Sequence, residues 1–401
     1  MDESLIGAHS IFSFIESTAE IVEGGIRWKT IDYWDNPQYH YCVFNGVAGI
    51  AVFLSAYYEA TGNEKALELA LGGVKWCIPI EAEHYDFQRG LQTGKAGVAY
   101  TALLLSKVNN QPVFEDFCKK MAQFILDEPP GPITDMMGGE ASNGVFLLEI
   151  WKATHSEEYL EGAIRCGQWL ADILVRDELG THCTIDPDLI LPDPNDPEKA
   201  SFPDFPLTGF LHGISGVGYF FALLYYHSQR ERWKNLAKEI FDTLIRHALP
   251  DKGGINWCPR LGQTLINRCQ YSHGSPGIGL AFARSSELVN EPSLMDIAIQ
   301  AGEATYQNGD FGKNPTLCTG LAGGGELLIE LYKATKDMLW LDRAKTFVKT
   351  AMAYRVETEE GDRWPTNTPG LYSQDFVYGA SGTGYFFLRV HQPELLAPPL
   401  M

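Results

Sequence analysis

The chain has 401 residues, 45% of them hydrophobic and 12% aromatic, which supplies a large apolar core and excludes a mostly disordered protein. Fifty-one acidic against thirty-one basic residues leave a formal charge of −20 with no basic run, so the long-range field opposes nucleic acid and anionic membranes as partners. Met1-Asp2-Glu3-Ser4 is acidic where a secretory signal is basic, and no apolar run long enough to span a bilayer follows; the eight cysteines contain no Cys-x-x-Cys pair. A cytoplasmic protein with reduced thiols is expected.

One pattern, Gly-x-x-Gly followed by an apolar stretch, recurs along the chain. It begins at Gly46, Gly94, Gly213, Gly274, Gly320 and Gly379, with an imperfect copy at Gly139-Glu140-Ala141-Ser142. The first glycines are 48, 45, 74, 61, 46 and 59 residues apart, a unit of about 45 residues with insertions in three intervals. Residues 46–60 are apolar on nearly all sides, which predicts a helix buried all round. Thr61-Gly62-Asn63 breaks it, and Leu67, Leu71, Val74 and Ile78 then recur at helical spacing opposite Glu64, Lys65, Glu68 and Lys75, which predicts an amphipathic outer helix. The pair returns as residues 213–226 with 233–249, and as 320–335 with 341–353.

Short turns join each buried helix to its outer helix, whereas the insertions precede the next Gly-x-x-Gly, so the long loops gather at one end. Seven buried and seven outer helices predict an all-α fold, a single-domain α/α toroid over residues 1–401, in preference to an open solenoid that would need polar caps. The glycines let helix starts press on their neighbours, and exposed helix amino ends are expected to make the mouth partly positive. The insertions at about residues 177–208, with Pro192-Asp193-Pro194, and 356–375, with Arg363-Trp364-Pro365, read as loops, either lids or solvated connectors.

The glycine repeats, the His212-Gly213 and His273-Gly274 junctions and the Asp135-x-x-x-Gly139 element together resemble the lanthionine synthetase C (LanC-like) family over residues 41–387. The resemblance implies addition of a cysteine thiol to a dehydroalanine or dehydrobutyrine, closing a thioether ring in a ribosomal peptide; eukaryotic relatives add glutathione instead. It also implies a zinc ion held by two cysteines and a histidine, in Trp-Cys-x-Gly and Cys-His-Gly elements. Here those elements read Tyr271-Ser272-His273-Gly274 and Leu317-Cys318-Thr319-Gly320, so Cys318 is the sole retained ligand position. Hydroxyls are poor zinc ligands, and no cofactor is expected unless Cys258, Cys269 or His273 rebuilds a site. Cyclase domains of some multidomain lanthipeptide synthetases also lack the triad.

The remaining family positions match better. Asp135 stands at the active-site aspartate, His212 at the general acid/base, Arg268 at the active-site arginine, and His273 where relatives carry tyrosine or histidine. Thiol addition needs a thiolate, a donor for the enolate and an acid for the α-carbon. His212 suits proton exchange, Asp135 would orient it, Arg268 would hold the enolate oxygen and His273 would take the thiol proton. Tyr271, Ser272 and Thr319 are expected to bind substrate. Read singly, each has a structural alternative: a helix-start hydrogen bond for either histidine, a cap for Asp135, an ion pair for Arg268. The residues favour a zinc-independent cyclase acting on a dehydrated precursor peptide, with a dehydratase as candidate partner, over an inert scaffold. A toroidal glycosidase or epimerase would need paired carboxylates, for which Asp135 and Asp375 are the candidates.

Overall fold

Each Gly-x-x-Gly starts a helix. In the computed structural model, which describes residues 2–32, 35–80, 89–110, 112–184, 206–359 and 361–395, the first glycine of every copy is the N-cap. The helices that follow are α2 (Val47–Thr61), α4 (Lys95–Asn109), α6 (Glu140–Thr154), α8 (Ile214–Ser228), α10 (Ser275–Leu288), α12 (Leu321–Thr335) and α14 (Ala380–His391). The outer helices are α1 (Glu3–Ser17), α3 (Glu64–Cys77), α5 (Glu115–Asp127), α7 (Glu157–Ile173), α9 (Glu231–Arg246), α11 (Ser293–Asn308) and α13 (Met338–Met352). The chain forms two compact units, one of Met1–Met121 with Asn308–Met401 and one of Ala122–Gln307.

Burial follows the sequence pattern closely in the first pair. Every residue of α2 from Val47 to Tyr57 is buried. The buried stripe of α3 runs through Ala66, Leu67, Leu69, Ala70, Gly73, Val74 and Cys77, so small residues carry much of the contact expected of Leu71 and Ile78, which are half-buried. Between them Gly62 takes the left-handed conformation (φ 68°), and Asn63 caps α3 by accepting from the N–H groups of Lys65 and Ala66. Among the described residues, no outer helix follows the last buried one. α14 packs instead on α1, where Gly7 leaves room for the Phe387 ring.

The loop before each buried helix folds back onto its first turn. The N–H groups of Val47, Glu140, Ile214, Leu321 and Ala380 donate to the carbonyls seven residues earlier, at His40, Ile133, Leu207, Asn314 and Ser373, over 2.9–3.0 Å. These donors are the ones an α-helix leaves unpaired, so the expected exposed amino ends are already satisfied by main chain. The second glycine has a different cause: a Cβ on Gly49, Gly97, Gly216, Gly277 or Gly382 would overlap the carbonyl oxygen of Val43, Leu91, Phe210, Tyr271 or Phe376. The third copy carries Ser142 there, its hydroxyl turned onto the Gly139 carbonyl at 2.8 Å.

Main-chain bonds also tie one repeat to the next. In the first unit Cys318 donates to Val377, Val377 to Phe44 and Phe44 to Gln92, over 3.1, 3.0 and 2.9 Å, each residue lying two before a capping glycine. In the second unit Met136 donates to Leu211 over 3.0 Å. Among the described residues four antiparallel hairpins decorate the helices: β1 (Glu20–Val22) with β2 (Gly25–Arg27), β3 (Thr30–Ile31) with β4 (Pro37–Gln38), β5 (Val175–Asp177) with β6 (Gly180–His182), and β7 (Leu249–Asp251) with β8 (Gly254–Asn256). The insertion expected as a loop over 177–208 therefore opens with a hairpin; its Pro192-Asp193-Pro194 run lies outside the described residues. The 356–375 insertion is anchored rather than solvated. Trp364 is fully buried, its ring 5.5 Å from Phe387 and its indole donating to Ser10 at 3.1 Å, and Asp362 accepts from Ser10 and Arg355.

Candidate active site around Asp135 and His212

Asp135 lies in the fold-back loop ahead of α6, where its geometry is set by main chain. Its Oδ1 accepts from the N–H groups of Met137, Gly138 and Gly139 at 3.0, 3.0 and 3.2 Å. That oxygen is committed, and the carboxylate cannot rotate without leaving three donors unpaired. Its Oδ2 meets Nδ1 of His212 at 3.0 Å across 77 residues of sequence. His212 stands immediately before Gly213, held by the Ile214–Leu207 bond, with a third of its side chain exposed while Asp135 is sealed. A carboxylate at Nδ1 selects the tautomer with the proton there, leaving Nε2 bare on the open edge.

His273 stands in the same place one repeat on, immediately before Gly274, whose φ of 120° favours glycine. Its ring runs nearly parallel to that of His212, 21° apart in plane with centroids at 6.5 Å. Burial, reinforced by the charges of His212, Arg268 and Arg260, pulls His273 down to about 3. A base weakened in this way is a poor acceptor for a thiol proton at neutral pH. Arg268 is exposed on the loop before Cys269, and its carbonyl is held at 3.0 Å by Asn256 Nδ2. Asn256 is fully buried and also accepts from the N–H groups of Trp257 and Ser275. It thus ties the arginine loop to the start of α10, and neither it nor Arg260 was marked by any motif.

The other expected residues divide by unit. Tyr271 is 2% exposed and packs on Phe210, 5.7 Å between centroids, so its ring serves the core and offers no surface to a substrate. Ser272 is buried beside Gly209. Cys183, at the end of β6, lies 3.6 Å from the Thr134 hydroxyl; burial, with the Asp135 charge added, pushes its thiol up to about 11. In the first unit Cys318 is buried and Thr319 Oγ1 accepts from Asn314 Nδ2 at 3.2 Å. Asp375 is the repeat counterpart of Asp135, but it is fully buried, accepting from the Ser373 hydroxyl at 2.5 Å and the Tyr378 N–H at 2.8 Å. With no exposed surface and both oxygens engaged, it does not serve as the second carboxylate of a glycosidase.

Zinc does not fit these residues. Ser272 and Thr319 bring neutral hydroxyls, and among the described residues no group of three or more His, Cys, Asp or Glu is set to hold a metal ion. All eight cysteines are buried. Among the described residues no helix is long and apolar enough to cross a membrane.

The helical architecture is that of an α/α toroid: the chain superposes on nisin cyclase with a TM-score of 0.69 at 15% identity, over 89% of this chain and 90% of that one. The profile of lanthionine synthetase C-like proteins matches residues 37–400, and the chain belongs to that family. Among its relatives are glutathione S-transferase LANCL1 of Danio rerio, 28% identical over 186 residues, and LanC-like protein GCL1 of Arabidopsis thaliana, 27% identical over 317. The first match covers 46% of this chain and 43% of LANCL1, less than half its length; the second covers 76% of this chain and 69% of GCL1.

Proposed function

We propose that the protein is a zinc-independent LanC-like cyclase that adds a cysteine thiol to a dehydroalanine or dehydrobutyrine in a cytoplasmic ribosomal peptide. The observation that carries this reading is the Asp135–His212 pair, with the carboxylate locked by three N–H groups and Nε2 of the imidazole left open. His212 Nε2 takes the thiol proton, the sulfur attacks the β-carbon as the double bond opens, and negative charge collects on the amide oxygen beside Arg268. The protonated His212 then returns its proton to the α-carbon. One S–H and one π bond are lost, one C–S and one C–H bond form, and nothing is oxidised. Asp135 stabilises the imidazolium between the two transfers. Zinc would sharpen the thiolate but is not required, because a free thiol is already a few per cent ionised at about pH 7.

The substrate is a dehydrated precursor peptide, and a dehydratase is the natural partner. The charge of −20 confines recognition of an acidic leader to local contacts. The test is a synthetic peptide carrying one dehydroalanine and one cysteine, with ring closure followed as loss of free thiol by mass spectrometry. His212→Ala and Arg268→Ala are expected to abolish closure while melting like the wild type; full activity in both would sink the reading. The two hydroxyls at the family's zinc positions favour a second reading, an inert scaffold for a modified peptide or a partner enzyme, whose binding would survive both substitutions.

A further inference from the structure

The edge of His273 that carries Nδ1 is sealed. That nitrogen has no accessible surface and no hydrogen-bond partner, and it faces Gly209, on which an added Cβ would lie 3.3 Å from it. The ring as a whole is only part-buried, so the edge open to the site is the one bearing Nε2. A proton on Nδ1 would be a buried donor with nothing to accept it, whereas a proton on Nε2 meets solvent or substrate. The neutral ring therefore carries its proton on Nε2. Adding a second proton would bury a charge among Arg260, Arg268 and His212, which explains why the ring resists protonation.

The neighbouring histidine has the opposite arrangement. His212 gives its Nδ1 proton to Asp135 and shows a bare Nε2. Two parallel rings thus present unlike edges to the same space, one an acceptor and one a donor. We propose that His273 is a neutral Nε2–H donor to the carbonyl oxygen that becomes the enolate oxygen, with Arg260 and Arg268 supplying positive charge around it, and that His212 is the one of the pair that exchanges protons. This rests on the cyclase reading and deepens it, by separating the proton carrier from the enolate donor. A neutral donor suits that role, because it stabilises developing charge without giving up its proton and stranding a protonated product.

The test is nitrogen NMR on protein labelled with ¹⁵N-histidine, with the His273 signals identified by their loss in His273→Gln. The expected result is the Nε2–H tautomer, unchanged between about pH 5 and 8, where an ordinary histidine titrates. An Nδ1–H tautomer, or titration within that interval, overturns the proposal. On the dehydroalanine peptide, His273→Gln, which keeps an N–H donor without a basic nitrogen, is expected to stay within about tenfold of wild type, and His273→Phe to lose about 10²–10³-fold in kcat. Equal loss in both variants, with melting unchanged, points to a base at this position and overturns the donor role, as does a fully active Phe variant. If the wild type closes no ring, the cyclase reading fails by itself and the tautomer measurement decides this inference.

Discussion

Asp135→Asn isolates the chemistry of the site from its architecture. The amide keeps a carbonyl oxygen where Oδ1 accepts from Met137, Gly138 and Gly139, so the fold-back loop retains its three bonds. Each falls from a charge-assisted bond to a neutral one, a combined cost of about 1–3 kcal/mol in stability. The effect on His212 is larger. At 3.0 Å from Nδ1 the amide now presents N–H groups, which require Nδ1 to be the acceptor and move the imidazole proton to Nε2. His212 then has no lone pair facing the thiol, and no carboxylate supports the imidazolium. An inverted tautomer of this kind lowers kcat by about 10⁴-fold in a catalytic triad, equivalent to about 5.5 kcal/mol of barrier. The assay is ring closure on the dehydroalanine peptide beside thermal melting and ¹⁵N-histidine spectra. Activity within about tenfold of wild type, with the His212 tautomer visibly switched, would refute the assignment of His212 as the proton carrier.

Two further predictions concern the first unit. Arg389 on α14 is fully buried with the carboxylates of Glu326 and Glu330 on α12, the latter at 2.6 Å; Arg389→Met strands them and is expected to cost about 3–5 kcal/mol, read from denaturant unfolding, and a loss under about 1 kcal/mol would contradict this. Burial raises Asp375 to about 6 from 3.8, so the folded state keeps a proton that the unfolded state has lost, and its contribution to stability, complete below about pH 4, is lost as pH rises through 6. Asp375→Asn is therefore expected to be more stable than wild type by about 2–3 kcal/mol at about pH 8 and not at about pH 4; an equal gap at both would disprove the buried charge.

The repeat was legible because its signal is local. A glycine pair and an apolar run of some fifteen residues sit within one helix and its cap, so period and fold class follow from counting. The partner of α14 was not legible, since α1 lies at the far end of the chain and its fitness for Phe387 rests on the absence of a side chain at Gly7. Nor was the reason for the glycines: sequence shows that small residues are wanted, but only the folded loop shows that carbonyl oxygens occupy the space. At the site, the pattern of Asp135 before Gly139 and His212 before Gly213 located the pair, whose contact spans 77 residues. His273 looked like a second base because its type and position match those of His212. What separates them is their surroundings: a carboxylate from another loop for His212, and for His273 Gly209 from another loop with Arg260 and Arg268 from its own.

The fold-back loops divide labour between backbone and side chain. Main chain holds five of the seven helix starts and links repeats within each unit, so the residue just before the capping glycine is spared that duty there. In this chain those places hold Asn45, Thr93, Gly138, His212, His273, Thr319 and Tyr378. They amount to interchangeable sockets on a common frame, each able to change its chemistry while its wiring stays in place. A change of side chain at one socket therefore need not disturb the main-chain bonds that hold another. Asn45, whose neighbour Phe44 accepts from Val377 as Leu211 accepts from Met136, is the socket of the first unit that corresponds to His212.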